Sequence, residues 1–349
     1  MTGSSLSPEQ IIALSYQKLR SGNAAEAEVA LSHVWNSGAP RPPAAIHLLG
    51  LIRRAQGRFP EAERLLLQSI DAEPQNAEFV NNLGNLLVAA GHTGPGLERF
   101  RQALTLNPSL HAARANIVRT LLDQGRFSQA LPEAEQLLAI ANSVDAHIFK
   151  ARALVGLDRQ AEALAIYDAA LITWPVDAVL RQNRAVLLGE MGRVAEARAA
   201  LLDLRRDGLK RPELSLALGR LFLEEGDLKA AEGEFRKGVG TYPGDVPLQV
   251  ALAKTAWMAG DHAGFCTTIL DAVERWPKDV AMRLSAADLL RRADRHAEAE
   301  AVLRRGLVSG AEEPGLLAAL GTLLDEMGRP TEGVAPLQQA KTAWPTHTE

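Results

Sequence analysis

Apolar side chains recur along this chain at helical spacing, in short stretches that are broken at regular intervals. Val80, Leu83, Gly84 and Leu87 mark one stretch, and Ala163, Ile166, Tyr167 and Ala170 mark another. Steps of three and four residues predict amphipathic helices. A glycine follows stretches of the first kind and signals a stop and turn. A proline follows stretches of the second kind and prevents continuation. The predicted unit is helix, short turn, helix, short turn.

The punctuation is periodic. Pro74, Pro108, Pro175, Pro243, Pro277 and Pro345 are spaced by 34, 67, 68, 34 and 68 residues, a period of 34 with one residue deleted between 108 and 175. Gly57, Gly91, Gly125, Gly192, Gly226, Gly260 and Gly328 keep the same period, each before a polar or charged residue, and Asp158 and Asp294 stand in for the glycine in two repeats. Leu188-Gly-Glu-Met-Gly-Arg193 and Leu324-Asp-Glu-Met-Gly-Arg329 lie 136 residues apart, four periods. Two helices of about 13 residues cannot bury their own apolar faces, so they must stack on neighbours. The expected fold is an all-α solenoid.

Composition agrees and removes several function classes. Apolar residues make up 47% of the chain but aromatics only 5%, as helices prefer and strands do not. Residues 1–175 hold 15 basic and 16 acidic groups, and residues 176–349 hold 23 and 26. Neither half has the cationic excess that phosphate backbones require, so nucleic acid is not an expected partner. No apolar run reaches the ~18–20 residues of a membrane span. The start, Met-Thr-Gly-Ser-Ser, has neither the basic nor the apolar region of a signal peptide. The single cysteine, Cys266, excludes an internal disulfide and a cysteine-based metal site. A cytoplasmic protein is expected.

The repeat resembles the tetratricopeptide repeat. That family has a small residue at position 8, Gly at 15, Ala at 20, an aromatic or Leu at 24, Ala at 27 and Pro at 32. The third unit reads Gly84, Gly91, Gly96, Phe100, Ala103, Pro108, and the seventh Gly219, Gly226, Ala231, Phe235, Gly238, Pro243. After an N-terminal tail over 1–7, ten units are expected at 8–42, 43–76, 77–110, 111–143, 144–177, 178–211, 212–245, 246–279, 280–313 and 314–349. Some positions depart. Phe265 occupies position 20 of the eighth unit and is expected to push its helices apart, and Asn142, Leu209 and Ala311 replace the terminal proline. Trp174, Tyr242, Trp276 and Trp344, each just before a proline, read as packing between repeats.

No familiar catalytic motif is present: no HExxH, no P-loop and no G-x-S-x-G. None of the eight histidines pairs with another ligand at metal spacing on one helix, so no metal and no cofactor are expected. Gly91-His-Thr-Gly-Pro-Gly96 reads as the ordinary turn of the third unit rather than a phosphate cradle. Cys266, beside Phe265, is expected to be a buried, inert thiol.

The resemblance implies a right-handed superhelix whose concave groove is lined by the first helix of each repeat, at positions 2, 5, 6, 9, 12 and 13. Those positions bring Asn81, Asn82 and Asn85 together with Asn116, Arg119, Arg152, Gln182 and Asn183 as candidate peptide-binding residues. An asparagine amide offers two donors and an acceptor, which suits a peptide backbone whatever its sequence. Arg119 and Arg152 suit a carboxylate. Asn82, Asn116 and Asn183 share position 6 as a ladder that Phe149 interrupts. Position 5 carries no lysine, so the family's clamp for acidic chaperone tails is absent.

The implied function is a non-catalytic scaffold that binds a protein or extended peptide. The alternative is the substrate-recruiting part of a larger bacterial enzyme, such as a 2-oxoglutarate/Fe(II) oxygenase, glycosyltransferase or sulfotransferase. Ser7-Pro8-Glu9 reads as a finished helix start, whereas Ala343-Trp344-Pro345 leaves an apolar face for self-association or a following domain. The register itself is open to test. Ala231→Leu should overpack the helix contact at position 20 and lower stability by ~1–3 kcal/mol. An unchanged thermal melting curve would contradict the alignment.

Overall fold

The computed structural model of the chain describes residues 6–35, 41–308 and 313–343. Ala311, Trp344, Pro345 and the first five residues lie outside them. The described residues are all-α, with twenty helices in alternating order. The first helices of the hairpins are α1 (Pro8–Arg20), α3 (Pro43–Ala55), α5 (Ala77–Ala89), α7 (His111–Asp123), α9 (Val144–Val155), α11 (Ala178–Glu190), α13 (Pro212–Glu224), α15 (Val246–Met258), α17 (Val280–Arg292) and α19 (Pro314–Glu326). The second helices are α2 (Ala24–Trp35), α4 (Phe59–Ala72), α6 (Thr93–Leu106), α8 (Phe127–Ile140), α10 (Gln160–Thr173), α12 (Val194–Arg206), α14 (Leu228–Thr241), α16 (His262–Arg275), α18 (His296–Val308) and α20 (Pro330–Ala343). The chain forms two compact units, Met1–Asn183 and Arg184–Glu349.

Each first helix ends the same way. At the end of α3 the Gly57 N–H donates to the Arg54 carbonyl at 3.0 Å, and the Arg58 N–H to the Arg53 carbonyl at 2.9 Å. These two bonds satisfy carbonyls that the helix leaves without partners, and they need a left-handed residue at the turn. Gly57 has φ 74°, and Asp158 and Asp294 adopt 58° and 60° at the equivalent place. The aspartates therefore do what the glycine period predicts of them, a conformation that short polar side chains tolerate.

The residue after the turn opens the second helix. In five repeats it is an arginine that pairs with a glutamate three residues on, Arg58–Glu61, Arg159–Glu162, Arg193–Glu196, Arg295–Glu298 and Arg329–Glu332, whereas Arg126 bonds to Gln129. The carboxylate also lies in the first turn, where the helix dipole favours negative charge. Where the residue is Asp227 or Asp261, its own side chain accepts the N–H of Ala230 or Gly264. At the start of α1, Ser7 and Gln10 form a reciprocal capping box.

The two helices of a hairpin meet at positions 8, 20 and 24. A Cβ on Gly84 would lie 2.6 Å from the Phe100 ring and 3.1 Å from the Gly96 carbonyl oxygen. One on Gly219 would lie 2.2 Å from the Phe235 ring. Position 8 is thus small because a large side chain at position 24 lies on it, as well as because the backbones approach. The fourth repeat exchanges the volumes: position 8 is Val118 and position 24 is Ala134, both buried in one cluster. Gly96 belongs to the same contact, since its Cβ would lie 2.5 Å from Val88 Cγ2. Its place in a glycine-rich run is a packing requirement.

Phe265 is buried in a cluster with the small Ala253, Ala256 and Ala272, and the Trp257 ring meets it edge-on at 5.2 Å. Trp276 and Tyr242 pack against the cores beside them, and Trp174 meets His147 edge-on at 5.5 Å. Cys266 differs from expectation: it is half-buried, and Arg295 Nη1 lies 3.4 Å from its sulfur.

The exchange of volume across the hairpin can be tested at Gly84 and Phe100. Phe100→Ala alone should lose roughly 3–5 kcal/mol to an unfilled cavity, and Gly84→Val alone should clash. Combined, they copy the Val118/Ala134 arrangement and should be less destabilising than the sum. Additive losses in chemical denaturation would show that the two positions do not share one volume.

Candidate inner-face site

Within each unit the first helices touch one another across successive repeats: α1 with α3, α3 with α5, α5 with α7 and α7 with α9, then α13 with α15, α15 with α17 and α17 with α19. Second helices make no comparable contact with each other among the described residues. First helices are therefore crowded onto the inner side of each unit, and their inward side chains form its inner face. Five of the candidate residues lie on α5 and α7, Arg152 lies on α9, and Gln182 and Asn183 lie on α11 at the end of the first unit.

The amides of α5 and α7 are organised into two polar chains that run along the same path. In the first, Asn85 Nδ2 donates to Asn82 Oδ1 at 3.5 Å, and Asn82 Nδ2 donates to His47 Nε2 at 3.0 Å. His47 Nδ1 then donates to Ser69 Oγ at 3.3 Å, and Ser69 Oγ donates to the Leu66 carbonyl at 2.7 Å. In the second, Arg119 Nη2 donates to Asn116 Oδ1 at 2.5 Å, and Asn116 Nδ2 donates to Asn81 Oδ1 at 2.9 Å. Both chains run from position 9 to position 6 and then to position 5 of the preceding repeat. The path stops in the fifth repeat, where position 6 is Phe149 and position 5 of the repeat before it is Ala115. Arg152 turns instead to Asp123, at 3.5 Å.

Burial divides the candidates. Asn81 and Asn116 are each 7% exposed and are bonded to one another, so much of their capacity is used between repeats. Asn82, Asn85, Gln182 and Asn183 are half-buried, and Arg119 and Arg152 are exposed. For Asn183 the position-5 residue one repeat earlier is Ile148, which offers no side-chain polar group. The shared period of the three position-6 asparagines therefore does not give them one environment.

Two residues of this face were not among the candidates. His47 is 7% exposed and stacks on Phe79 with ring centroids 4.1 Å apart. Burial, and then the nearby Arg54 charge, lower its pKa to about 4. The hydrogen-bond chain acts in the same sense, because the neutral ring accepts at Nε2 and donates at Nδ1, and protonation would remove the acceptor. Arg54, at position 12, is half-buried, and desolvation lowers its pKa with no ion pair formed among the described residues. The groove rule itself points to both. They are passed over because a lone histidine or arginine carries no periodic signal.

No group of three His, Cys, Asp or Glu suited to a metal occurs among the described residues, and none of their helices is long and apolar enough to cross a membrane. The Arg295 guanidinium beside Cys266 is itself paired with Glu298. The geometry is that of a helical-hairpin repeat protein with a polar inner face in its first unit.

The sequence profile described as Tetratricopeptide repeat matches residues 47–109, 115–178, 183–246 and 250–315. The chain belongs to the tetratricopeptide repeat family. It is 27% identical over 214 residues to cellulose synthase operon protein C of Xanthomonas axonopodis pv. citri (strain 306), covering 59% of this chain and 14% of that protein. The chain thus spans a small part of that relative's length. A tetratricopeptide repeat protein from Parabacteroides merdae ATCC 43184 superposes with a TM-score of 0.59 at 22% identity, over 71% of this chain and 98% of that one. Yeast Tom70 superposes with a TM-score of 0.54 at 11% identity, over 97% of this chain and 92% of its own. These structural likenesses are likenesses of fold.

The buried histidine gives the first unit a pH dependence of known sign. His47 is neutral in the fold with a pKa of about 4, against 6.5 when unconstrained. Its contribution is complete above pH 6.5 and is lost as pH falls toward 4, by roughly 3 kcal/mol in all. Urea midpoints measured from pH 7.5 to 4 should fall further for the natural protein than for His47→Gln. Parallel profiles would show that the imidazole is not held neutral.

Proposed function

We propose that the chain is a non-catalytic scaffold that binds a protein or extended peptide on the inner face of its first unit. The observation that carries this reading is Arg119. It is exposed, it forms no ion pair among the described residues, and its guanidinium is held by Asn116, which is itself bonded to Asn81. A charged group fixed by a buried network loses little freedom on binding. Arg54 adds a second cation without an ion pair among the described residues, and Asn82 and Asn85 supply amides for a peptide backbone. Arg119 and Arg54 suit a side-chain or terminal carboxylate of the ligand. A cytoplasmic location fits the single cysteine and is part of the same proposal.

A second reading draws on the relative of which this chain covers only 14%. In it the repeats recruit substrate for an enzyme carried on a longer chain. An immunoblot of source cells separates the two: a band near 37.5 kDa supports the scaffold, and a much larger one supports the recruiting arm.

The scaffold reading is tested on an array of short synthetic peptides with free C-termini, probed with the whole chain. Bound peptides should be enriched in Asp and Glu. Arg119→Ala should weaken them by about tenfold or more, the size of a charge-assisted hydrogen bond. Equal binding by the natural protein and a variant carrying Asn82→Ala, Arg119→Ala and Arg152→Ala would refute the site.

A further inference from the structure

The second unit presents a different inner face. At position 5, where the second and third repeats carry His47 and Asn81, the seventh, eighth and ninth carry Leu216, Val250 and Leu284, all half-buried. Position 6 carries the small Ala217, Ala251 and Ser285 beside them. Each of α13, α15 and α17 therefore shows one bulky apolar side chain and one small neighbour, a ridge and a trough repeated once per hairpin. Between α17 and α19 this floor opens into a cavity of about 220 Å³ lined by Leu284, Leu303, Ala319 and Leu323, with the Arg291–Glu326 pair at its mouth.

Charge along the edge of this face is uneven. At position 9, Arg220 and Lys254 are exposed and form no ion pair among the described residues. One repeat further, Asp288 is taken up by Arg291 and Arg292. The two free cations thus sit at the α13–α15 end. Beside them, one turn along α15, Trp257 and Met258 are 39% and 57% exposed.

We infer that the inner face of the second unit binds an amphipathic helix of a partner protein. Its apolar stripe crosses Leu216, Val250 and Leu284, one large side chain enters the cavity between α17 and α19, and acidic residues at its other end meet Arg220 and Lys254. The repeat pitch selects the helix. Packed helices lie roughly 8–10 Å apart, and two turns of a helix rise about 10.5 Å, so residues seven apart reach successive ridges from one face. An extended strand brings same-face residues about 6.8 or 13.6 Å apart and misses that pitch. A polyproline helix repeats at about 9.3 Å, but such segments dock in aromatic-lined grooves, and Trp257 is the one aromatic at the inward positions of α13, α15, α17 and α19. Troughs of small residues suit the ridge of an incoming helix.

This inference rests on the reading of the chain as a binding scaffold, but it uses residues separate from the first unit's face. The probes are fluorescein-labelled synthetic helices of about four turns, with leucines along one face and glutamates at one end, followed by fluorescence anisotropy with the whole chain. Binding should weaken by about tenfold or more when the leucines become serines or the glutamates become lysines. Arg220→Glu combined with Lys254→Glu, both at exposed positions, should reverse the charge preference while circular dichroism stays unchanged. Asn82→Ala with Arg119→Ala should leave the dependence of binding on the leucine face as it is. Equal affinity for all probes, no binding, or tighter binding of a proline-rich probe of the same charge would overturn the inference. Loss of binding only in the first-unit variant would overturn it too, and would leave the first-unit proposal standing.

Discussion

Everything in this structure depends on how closely the two helices of one hairpin approach. At that contact one side must be nearly empty for the other to be full. Gly84 under Phe100 and Gly219 under Phe235 show one solution, and Val118 over Ala134 shows the other. Interiors packed to crystal density leave no slack for both partners to be large or both small. Once the hairpin closes, each first helix stacks on the next through the inward face. The left-handed turn, the Arg–Glu pairs and the aspartate caps place the helix ends, but they are exposed and individually weak.

The inner face follows from that stacking. Neighbouring first helices are close enough for position 6 of one repeat to reach position 5 of the repeat before it. Asn82 with His47 and Asn116 with Asn81 use that reach to satisfy polar groups that would otherwise be buried without partners. These bonds join neighbouring repeats and order the inner face at once. Inner amides hold the outer groups still, and the outer groups, Asn85 and Arg119, remain directed outward. In the second unit the same geometry carries Leu216, Val250 and Leu284, so the same backbone presents an apolar floor.

Most of the architecture is legible in the sequence because its determinants are local. A 34-residue period of glycines, prolines and small residues gives helix ends and contacts directly. Asp158 and Asp294 are recognisable as turn residues by phase alone, and both adopt positive φ. The site is less legible. The phase of Asn82, Asn116 and Asn183 suggests one ladder, but phase says nothing of the residue opposite. Asn82 faces a histidine and Asn116 an asparagine, while the corresponding position for Asn183 is Ile148. Cys266 is misjudged for the same reason, since Arg295 reaches it from the next repeat, 29 residues away.

The sequence by itself determined the helical class, the hairpin repeat, its punctuation and the absence of familiar catalytic motifs. Each of these is set within one period, by propensity, turn chemistry and side-chain volume. Tertiary structure alone decided which polar groups are consumed between repeats and which stay outward, where His47 is buried neutral, and where the second unit opens a cavity. Those outcomes depend on pairs some 20–35 residues apart meeting across neighbouring helices. A periodic sequence repeats its backbone in every unit, but each pair is made of two different side chains, and only stacking brings them together.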